Sequence, residues 1–93
     1  MPWQVVIKAR FQRSYDRLSA DEQLRVKKSL RQFQEYLNTG NAPIGLGIRK
    51  LAPGIYEFRV GIALRCLSVE EGETLFLALL GSHDEIMRFL HQL

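Results

Sequence analysis

Residues able to carry out phosphate chemistry fall in the second half of the chain: Lys50, Glu57, Arg59, Arg65 and His83. To cleave a ribose phosphodiester without a metal, a site must remove a proton from the 2′-hydroxyl, stabilise charge on the phosphate oxygens and protonate the departing 5′ oxygen. Arginine and lysine suit the second task, and histidine or a carboxylate suits the proton transfers. These residue types predict a phosphate-handling site, provided that the fold brings them to one surface.

The charged residues have the spacing of one face of a β-sheet. Residues 55–60 alternate between apolar and charged side chains, so Tyr56 and Phe58 face one way while Glu57 and Arg59 face the other. If helices cover the first face, we expect Glu57 and Arg59 to point out from the open face.

Arg65 can join this face in only one of two hairpin registers. A two-residue connection after Val60 would put Arg65 on the helix-covered face without a partner, which is costly for a guanidinium. A three-residue connection, residues 61–63, pairs Arg59 with Arg65 on the open face, and Gly61 suits the backbone it needs. We therefore predict the second register. Lys50 is a candidate for the same face, but the sequence leaves its register open.

His83 follows the last predicted strand and lies in the first turn of a C-terminal helix. Ser82 and Glu85 have the spacing of a capping box, which marks the start of that helix. The apolar stripe of this helix is Ile86, Leu90 and Leu93. Because a helix N-terminus favours an anion, a phosphate near His83 is plausible. Structural interpretations remain open: an exposed ion network for Glu57 and Arg59, and a first-turn residue without a role for His83.

Hydrophobic periodicity divides the whole chain into eight elements. The predicted strands are residues 3–7, 48–51, 55–60, 63–69 and 74–80, and the predicted helices begin at Ala9, at the capping box of residues 19–22 and at Ser82. The second helix ends at Gly40, and a turn centred on Glu71-Gly72 joins the last two strands. The order β-α-α-β-β-β-β-α predicts an α+β fold, with the two N-terminal helices on one face of a small, mainly antiparallel sheet.

Length and composition exclude several classes of protein. With 93 residues, 46% of them hydrophobic and 25% charged, we expect one globular domain spanning residues 1–93 and no disordered chain. The apolar run of residues 75–80 is too short to cross a bilayer, and the first residues do not resemble a signal peptide. One cysteine and two histidines suggest neither a disulfide nor a metal cluster. We therefore expect a cytoplasmic protein without a metal or cofactor.

The net charge of +3 is distributed unevenly. Eight of the thirteen basic residues lie between Lys8 and Arg31, against three acidic ones, so the N-terminal helices carry most of the excess. Such an excess suits contact with nucleic-acid phosphates. The predicted RNA-binding residues are Arg10, Arg13, Lys28, Arg31 and Arg88.

Together, these motifs resemble those of the RelE/ParE superfamily, the toxins of bacterial toxin–antitoxin pairs. The matching stretches are Arg49-Lys50-Leu51, Ile55-Tyr56-Glu57-Phe58-Arg59-Val60-Gly61, Leu64-Arg65-Cys66-Leu67 and Gly81-Ser82-His83-Asp84-Glu85. The resemblance implies a compact microbial-ribonuclease-like fold. RelE-like members cleave mRNA, typically on the ribosome, without a metal, and leave 2′,3′-cyclic phosphate ends.

By that resemblance, Lys50 and Arg59 would stabilise phosphate charge, Arg65 would contact the scissile phosphate and His83 would transfer protons. Glu57 would be a general base or would orient Arg59. The chain departs from many relatives at Met87, where they have a tyrosine, and Phe89 could stack on a base but cannot donate a proton.

The resemblance leaves three functions open: an mRNA endoribonuclease toxin, a ParE-like gyrase-inhibiting toxin and a catalytically inactive partner-binding protein. A cognate antitoxin is the expected partner in each case, with mRNA as the substrate of the first. Leu67 and Val69 share the face of Arg65 in the predicted register. They must be covered by the C-terminal helix or by another chain, so the antitoxin is expected there or on the N-terminal helices.

Overall fold

The computed structural model describes residues 3–92 and has the element order that the sequence predicts. The elements are β1 (Gln4–Ile7), α1 (Ala9–Asp16), α2 (Ala20–Thr39), β2 (Arg49–Ala52), β3 (Ile55–Val60), β4 (Leu64–Glu71), β5 (Thr74–Gly81) and α3 (His83–His91). The predicted α+β class is confirmed. Leu93 of the predicted helical stripe and the first two residues of the chain lie outside the described residues.

The five strands form one sheet in the order β1-β5-β4-β3-β2. β1 runs parallel to β5, and the other neighbouring pairs are antiparallel. The chain therefore passes through both N-terminal helices from one edge of the sheet to the other, and returns strand by strand. Because β5 lies between β1 and β4, it is an interior strand, which accounts for its nearly continuous apolar sequence.

The N-terminal helices pack on the sheet face that carries Tyr56 and Phe58, as the alternation predicts. Phe33 of α2 is fully buried, and its ring stacks on Phe58 with 4.5 Å between centroids. Ser19 and Glu22 form the predicted capping box at the start of α2. The helix ends at Gly40, whose φ of 80° is the left-handed conformation that glycine adopts most readily.

α3 covers part of the opposite face. Its buried Ile86 packs against Leu67 of β4 and Leu79 of β5, and Leu67 is completely buried. The prediction left open whether this helix or another chain covers Leu67, and in the structure α3 does so. Leu79 reaches this face because a register shift in β5 leaves Ala78 unpaired: Leu79 is opposite Leu67, whereas Leu77 is opposite Ser68.

The strand boundaries differ from the predictions by one or two residues. β4 continues to Glu71, so the loop before β5 is Gly72-Glu73 and the predicted centre of the turn was one residue too early. Gly72 has a φ of 60°, which suits the first position of a two-residue hairpin loop. β2 begins at Arg49, one residue later than predicted.

Candidate functional site

Arg59 and Arg65 are direct partners in neighbouring strands, in the register that the burial argument predicts. The connection is residues 61–63, with Gly61 at a φ of 80°. Facing side chains of an antiparallel pair lie close together, and like charges there repel each other. The sheet thus brings two arginines to facing positions, where an anion that contacts both would offset their repulsion.

Glycines border the arginine pair on both sides. Gly81 of β5 is the register partner of Arg65. On the other side, the Arg59 amide donates to the Leu46 carbonyl at 2.8 Å, and a Cβ on Gly47 would stand 3.3 Å from Arg59 Nε. The Gly47 position leaves room for the Arg59 side chain, which packs against it.

Glu57 and His83 form the second part of the site. His83 Nδ1 lies 2.8 Å from Glu57 Oε2, the one ion pair within 4 Å that the structure shows among residues 3–92. The two side chains differ sharply in exposure: 42% for His83 and 2% for Glu57. When Nδ1 carries the proton it donates to the buried carboxylate, and Nε2 is then left as the free ring nitrogen.

The burial of Glu57 corrects the expectation that it points out from an open face. Glu57 lies opposite Leu67, which α3 covers, and Glu57 is buried beside it. A buried carboxylate needs a partner, and here that partner is His83 and not Arg59. The exposed Glu57–Arg59 ion network is absent from the described residues.

Lys50 does not join this group. It pairs with Tyr56, so it belongs to the helix-covered face, whereas Arg49 pairs with Glu57 and shares the face of the site. Ile48, two positions before Lys50, packs with the helix-side core. The apolar character of Ile48 was the available signal in the sequence, since residues two apart in a strand share a face. The short strand alone did not establish the face of Lys50, because the pairing of β2 with β3 shifts register between Lys50 and Ala52.

Arg65 has an unsatisfied nitrogen. Its Nη1 is inaccessible to solvent and has no hydrogen-bond partner among the described residues. Buried polar groups are nearly always paired, so the unpaired nitrogen is costly in this conformation, and an outward turn of the side chain would bring it to an acceptor. Arg59, in contrast, is exposed.

The first turn of α3 fixes the position of His83. The predicted capping box is present: the Glu85 amide donates to Ser82 Oγ, and the Ser82 amide donates to Glu85 Oε1, each at 3.1 Å. Hydrogen bonding to the Glu85 carboxylate, first by the Ser82 backbone amide and second by the Ser82 side chain, lowers the pKa of the Glu85 carboxyl. A Cβ on Gly81 would stand 3.1 Å from the Glu85 carboxyl carbon, so the glycine leaves room for this arrangement.

The predicted RNA-binding residues do not form one surface. Arg10 lies over the ring of Phe89, 5.4 Å from its centroid, and both line a cleft with Arg88. Lys28 and Arg31 are exposed on α2, and Arg13 is exposed on α1. The basic residues therefore divide between the α1–α3 junction and the outer surface of the N-terminal helices.

The described residues contain no group of three or more His, Cys, Asp or Glu side chains arranged to hold a metal ion. Cys66 is buried in the helix-side core, and this burial raises the pKa of its thiol. None of the helices in the described part of the chain has the length and apolar character needed to cross a membrane.

Known proteins resemble this chain in structure. No family model and no curated protein sequence matches it. A copper-bound mutant toxin from Helicobacter pylori is 17% identical, with a TM-score of 0.64 over 90% of this chain and 98% of that one. RelE in the RelB–RelE antitoxin–toxin complex from Methanococcus jannaschii is 17% identical, with a TM-score of 0.62 over 90% and 96% of the two chains.

The Escherichia coli DinJ–YafQ toxin–antitoxin complex contains a third similar chain. It is 13% identical, with a TM-score of 0.62 over 92% of this chain and 98% of that one. The similarity covers nearly the full length of both chains in all three comparisons, although sequence identity is low. The protein therefore has the fold of the RelE- and YafQ-type toxins of toxin–antitoxin systems, and the resemblance stated from the motifs is confirmed at the level of the fold.

Proposed function

We propose that the chain, as one domain spanning residues 1–93, is the toxin of a toxin–antitoxin module and cleaves mRNA without a metal ion. The observation that carries this proposal is the placement of the Glu57–His83 pair on the same sheet face as the paired Arg59 and Arg65. The Glu57–His83 pair can transfer a proton, and the two arginines can bind a phosphate. The toxin fold supports the proposal, since the similar chains are toxins.

The arginine pair provides the phosphate site. Arg65 Nη1 has no hydrogen-bond partner but is inaccessible to solvent, so the Arg65 side chain must turn outward before a non-bridging phosphate oxygen can accept from that nitrogen. Arg59 contributes a second guanidinium from the neighbouring strand. The two positive charges stabilise the extra negative charge that develops on the phosphate oxygens when a 2′-oxygen attacks phosphorus.

His83 provides the proton transfer. With its Nδ1 proton donated to Glu57, the imidazole accepts the 2′-hydroxyl proton at Nε2 while the 2′-oxygen bonds to phosphorus. As the bond from phosphorus to the 5′ oxygen breaks, the 5′ oxygen takes a proton from a solvent water, and His83 returns the proton that it accepted to solvent. The products are a 2′,3′-cyclic phosphate and a 5′-hydroxyl end.

Two roles from the resemblance change in this mechanism. Glu57 is too deeply buried to meet the substrate as a general base, so we assign it the role of orienting His83 and of stabilising its protonated form. Lys50 belongs to the other face, and Arg49 takes its place as the third cation near the site.

The proposed partners are a cognate antitoxin and mRNA, the latter engaged on the ribosome. The solved RelE and YafQ complexes contain the antitoxins RelB and DinJ, which supports an antitoxin here. The proposed site of action is the cytoplasm, where the chain would meet both the antitoxin and mRNA.

Expression in a bacterial host, followed by primer extension on total mRNA, tests the function. We expect growth arrest with new mRNA 5′ ends, both lost in Arg65→Ala and retained in Lys27→Ala, which removes an exposed cation elsewhere. Arrest with intact mRNA and DNA-damage signalling would instead indicate a gyrase-inhibiting toxin. Harmless expression of the soluble chain would indicate a partner-binding protein without catalysis.

A further inference from the structure

A second basic cleft adjoins the arginine pair. It measures about 360 Å³ and lies between α2 and the loops that precede β2 and follow β3. Its lining residues are Arg25, Lys28, Ser29, Gln32, Ile44, Gly45, Leu46, Arg59 and Gly61. Three of these side chains are cationic and none is acidic, although the cleft belongs to a protein with ten acidic residues.

The three cations reach the cleft from different parts of the fold. Arg25 and Lys28 lie one helical turn apart on α2, and Arg59 comes from β3. All three are exposed, and the one ion pair of the described residues, Glu57–His83, involves none of them. Like charges at this helical spacing destabilise a helix slightly, so the arrangement costs the isolated chain a little stability.

Two glycines at the rim of the cleft face open space: a Cβ added to Gly45 or to Gly61 would meet no atom within 4 Å. Arg59 lines this cleft and is also the strand partner of Arg65. An RNA strand whose phosphate contacts Arg59 would therefore have Arg25 and Lys28 available for a neighbouring phosphate.

We propose that Arg25 and Lys28, together with Arg59, form a second phosphate subsite that binds the nucleotide next to the scissile phosphate of a single-stranded RNA. This inference rests on the proposed function, whose phosphate site supplies the first contact. An acidic peptide is the competing occupant, but the shared Arg59 favours a polymer that carries a phosphate on each unit. Arg25 was not among the RNA-binding residues that the sequence predicted.

The test compares neighbouring lysines on one helix. Lys28 lines the basic cleft, whereas Lys27 lines an apolar groove between α1 and α2, so Lys28→Gln and Lys27→Gln change the net charge equally. The probe is a short 2′-O-methyl oligoribonucleotide, which lacks the hydroxyl that attacks. Binding is measured by fluorescence anisotropy over a range of salt concentrations.

We expect Lys28→Gln and Arg25→Gln each to weaken binding about three- to fivefold at low salt. Each should also reduce the salt slope by about 0.7, the value for one phosphate contact of a single strand, while Lys27→Gln leaves both unchanged. Equal effects of Lys27→Gln and Lys28→Gln would overturn the subsite, even if the chain cleaves mRNA. Lys28-dependent binding of a poly-glutamate peptide, with no such effect on the oligonucleotide, would also overturn it.

Cleavage of mRNA is read separately, by primer extension with the unmodified chain. Absence of cleavage together with Lys28-specific oligonucleotide binding would contradict the proposed function and leave the subsite supported as an RNA contact. Cleavage by the unmodified chain, together with equal oligonucleotide binding by Lys27→Gln and Lys28→Gln, would support the proposed function and contradict the subsite. The failures of the two proposals are thus distinguishable.

Discussion

The two faces of the sheet are built differently. The face under α1 and α2 is closed by apolar and aromatic contacts, with Phe33 stacked on Phe58 and edge-on to Tyr56. The opposite face is mixed: α3 buries Leu67 and Leu79, and further along the same strands Arg59 is exposed while its partner Arg65 is half-buried. Glu57 lies at the border between the apolar and charged parts. The first face supplies stability, and the incomplete cover of the second leaves room for chemistry.

The largest expected effect on stability is on the closed face. Phe33→Ala removes a fully buried ring that contacts other rings on both helix and sheet, and should cost about 3–5 kcal/mol of unfolding free energy. Arg59→Ala, an exposed position on the other face, should change it by less than about 0.5 kcal/mol. Urea denaturation of the two variants measures the difference. A comparable loss in both would mean that Arg59 also holds the fold together.

A smaller effect is expected at the border between the two parts. Glu57→Gln keeps the shape but removes the charge that holds His83, and should lower cleavage roughly tenfold to a thousandfold. It should also cost about 1–3 kcal/mol of stability, because a charge-assisted hydrogen bond is lost from a buried site. Cleavage rate and urea denaturation are measured on the same preparation. Full activity in this variant would contradict the assignment of Glu57 as the residue that orients His83.

The smallest expected effect is at the start of α3. Ser82→Ala removes the capping hydroxyl and should cost about 1 kcal/mol. The Ser82 backbone amide and, second, the Ser82 side chain hold the pKa of Glu85 low, so the ionised Glu85 contributes stability above the usual carboxyl pKa, and Ser82→Ala removes the side-chain part of this contribution. That contribution is lost as the pH falls through the lower, folded-state pKa.

Comparing the unfolding free energies of wild type and Ser82→Ala from pH 7 downwards tests this dependence. The difference in unfolding free energy between wild type and Ser82→Ala should decrease as the solution becomes acidic. A difference that is constant over the whole range would mean that the Glu85 charge is not coupled to the cap. Asp84→Asn, in the same turn but outside the capping box, serves as the control.

The parts of the fold that could be predicted depended on local patterns or on a large energetic penalty. The capping boxes at Ser19 and Ser82 are local, and both are present. The pairing of Arg59 with Arg65 was predicted from the cost of burying a lone guanidinium, and the structure has this register. Arg65 is nevertheless half-buried in it, with Nη1 unpaired, so the register was predicted correctly but the open position of Arg65 was not.

What could not be predicted depended on contacts between elements distant in sequence. The burial of Glu57 depends on where α3 lies over the sheet, and its partner His83 is 26 residues away. The irregularity at Ala78 turns Leu79 and Gly81 towards α3, although nothing in the apolar sequence of β5 marks the position. The face of Lys50 depends on the register of a four-residue strand.

The most direct test of the proposed catalysis is cleavage of mRNA by the purified chain on translating ribosomes. We predict 2′,3′-cyclic phosphate ends with the wild-type chain, and a rate lower by about two to four orders of magnitude with His83→Ala at equal stability. Undiminished cleavage by His83→Ala, or no cleavage by a wild-type chain that arrests growth, would contradict the assignment of the Glu57–His83 pair as the proton-transfer device.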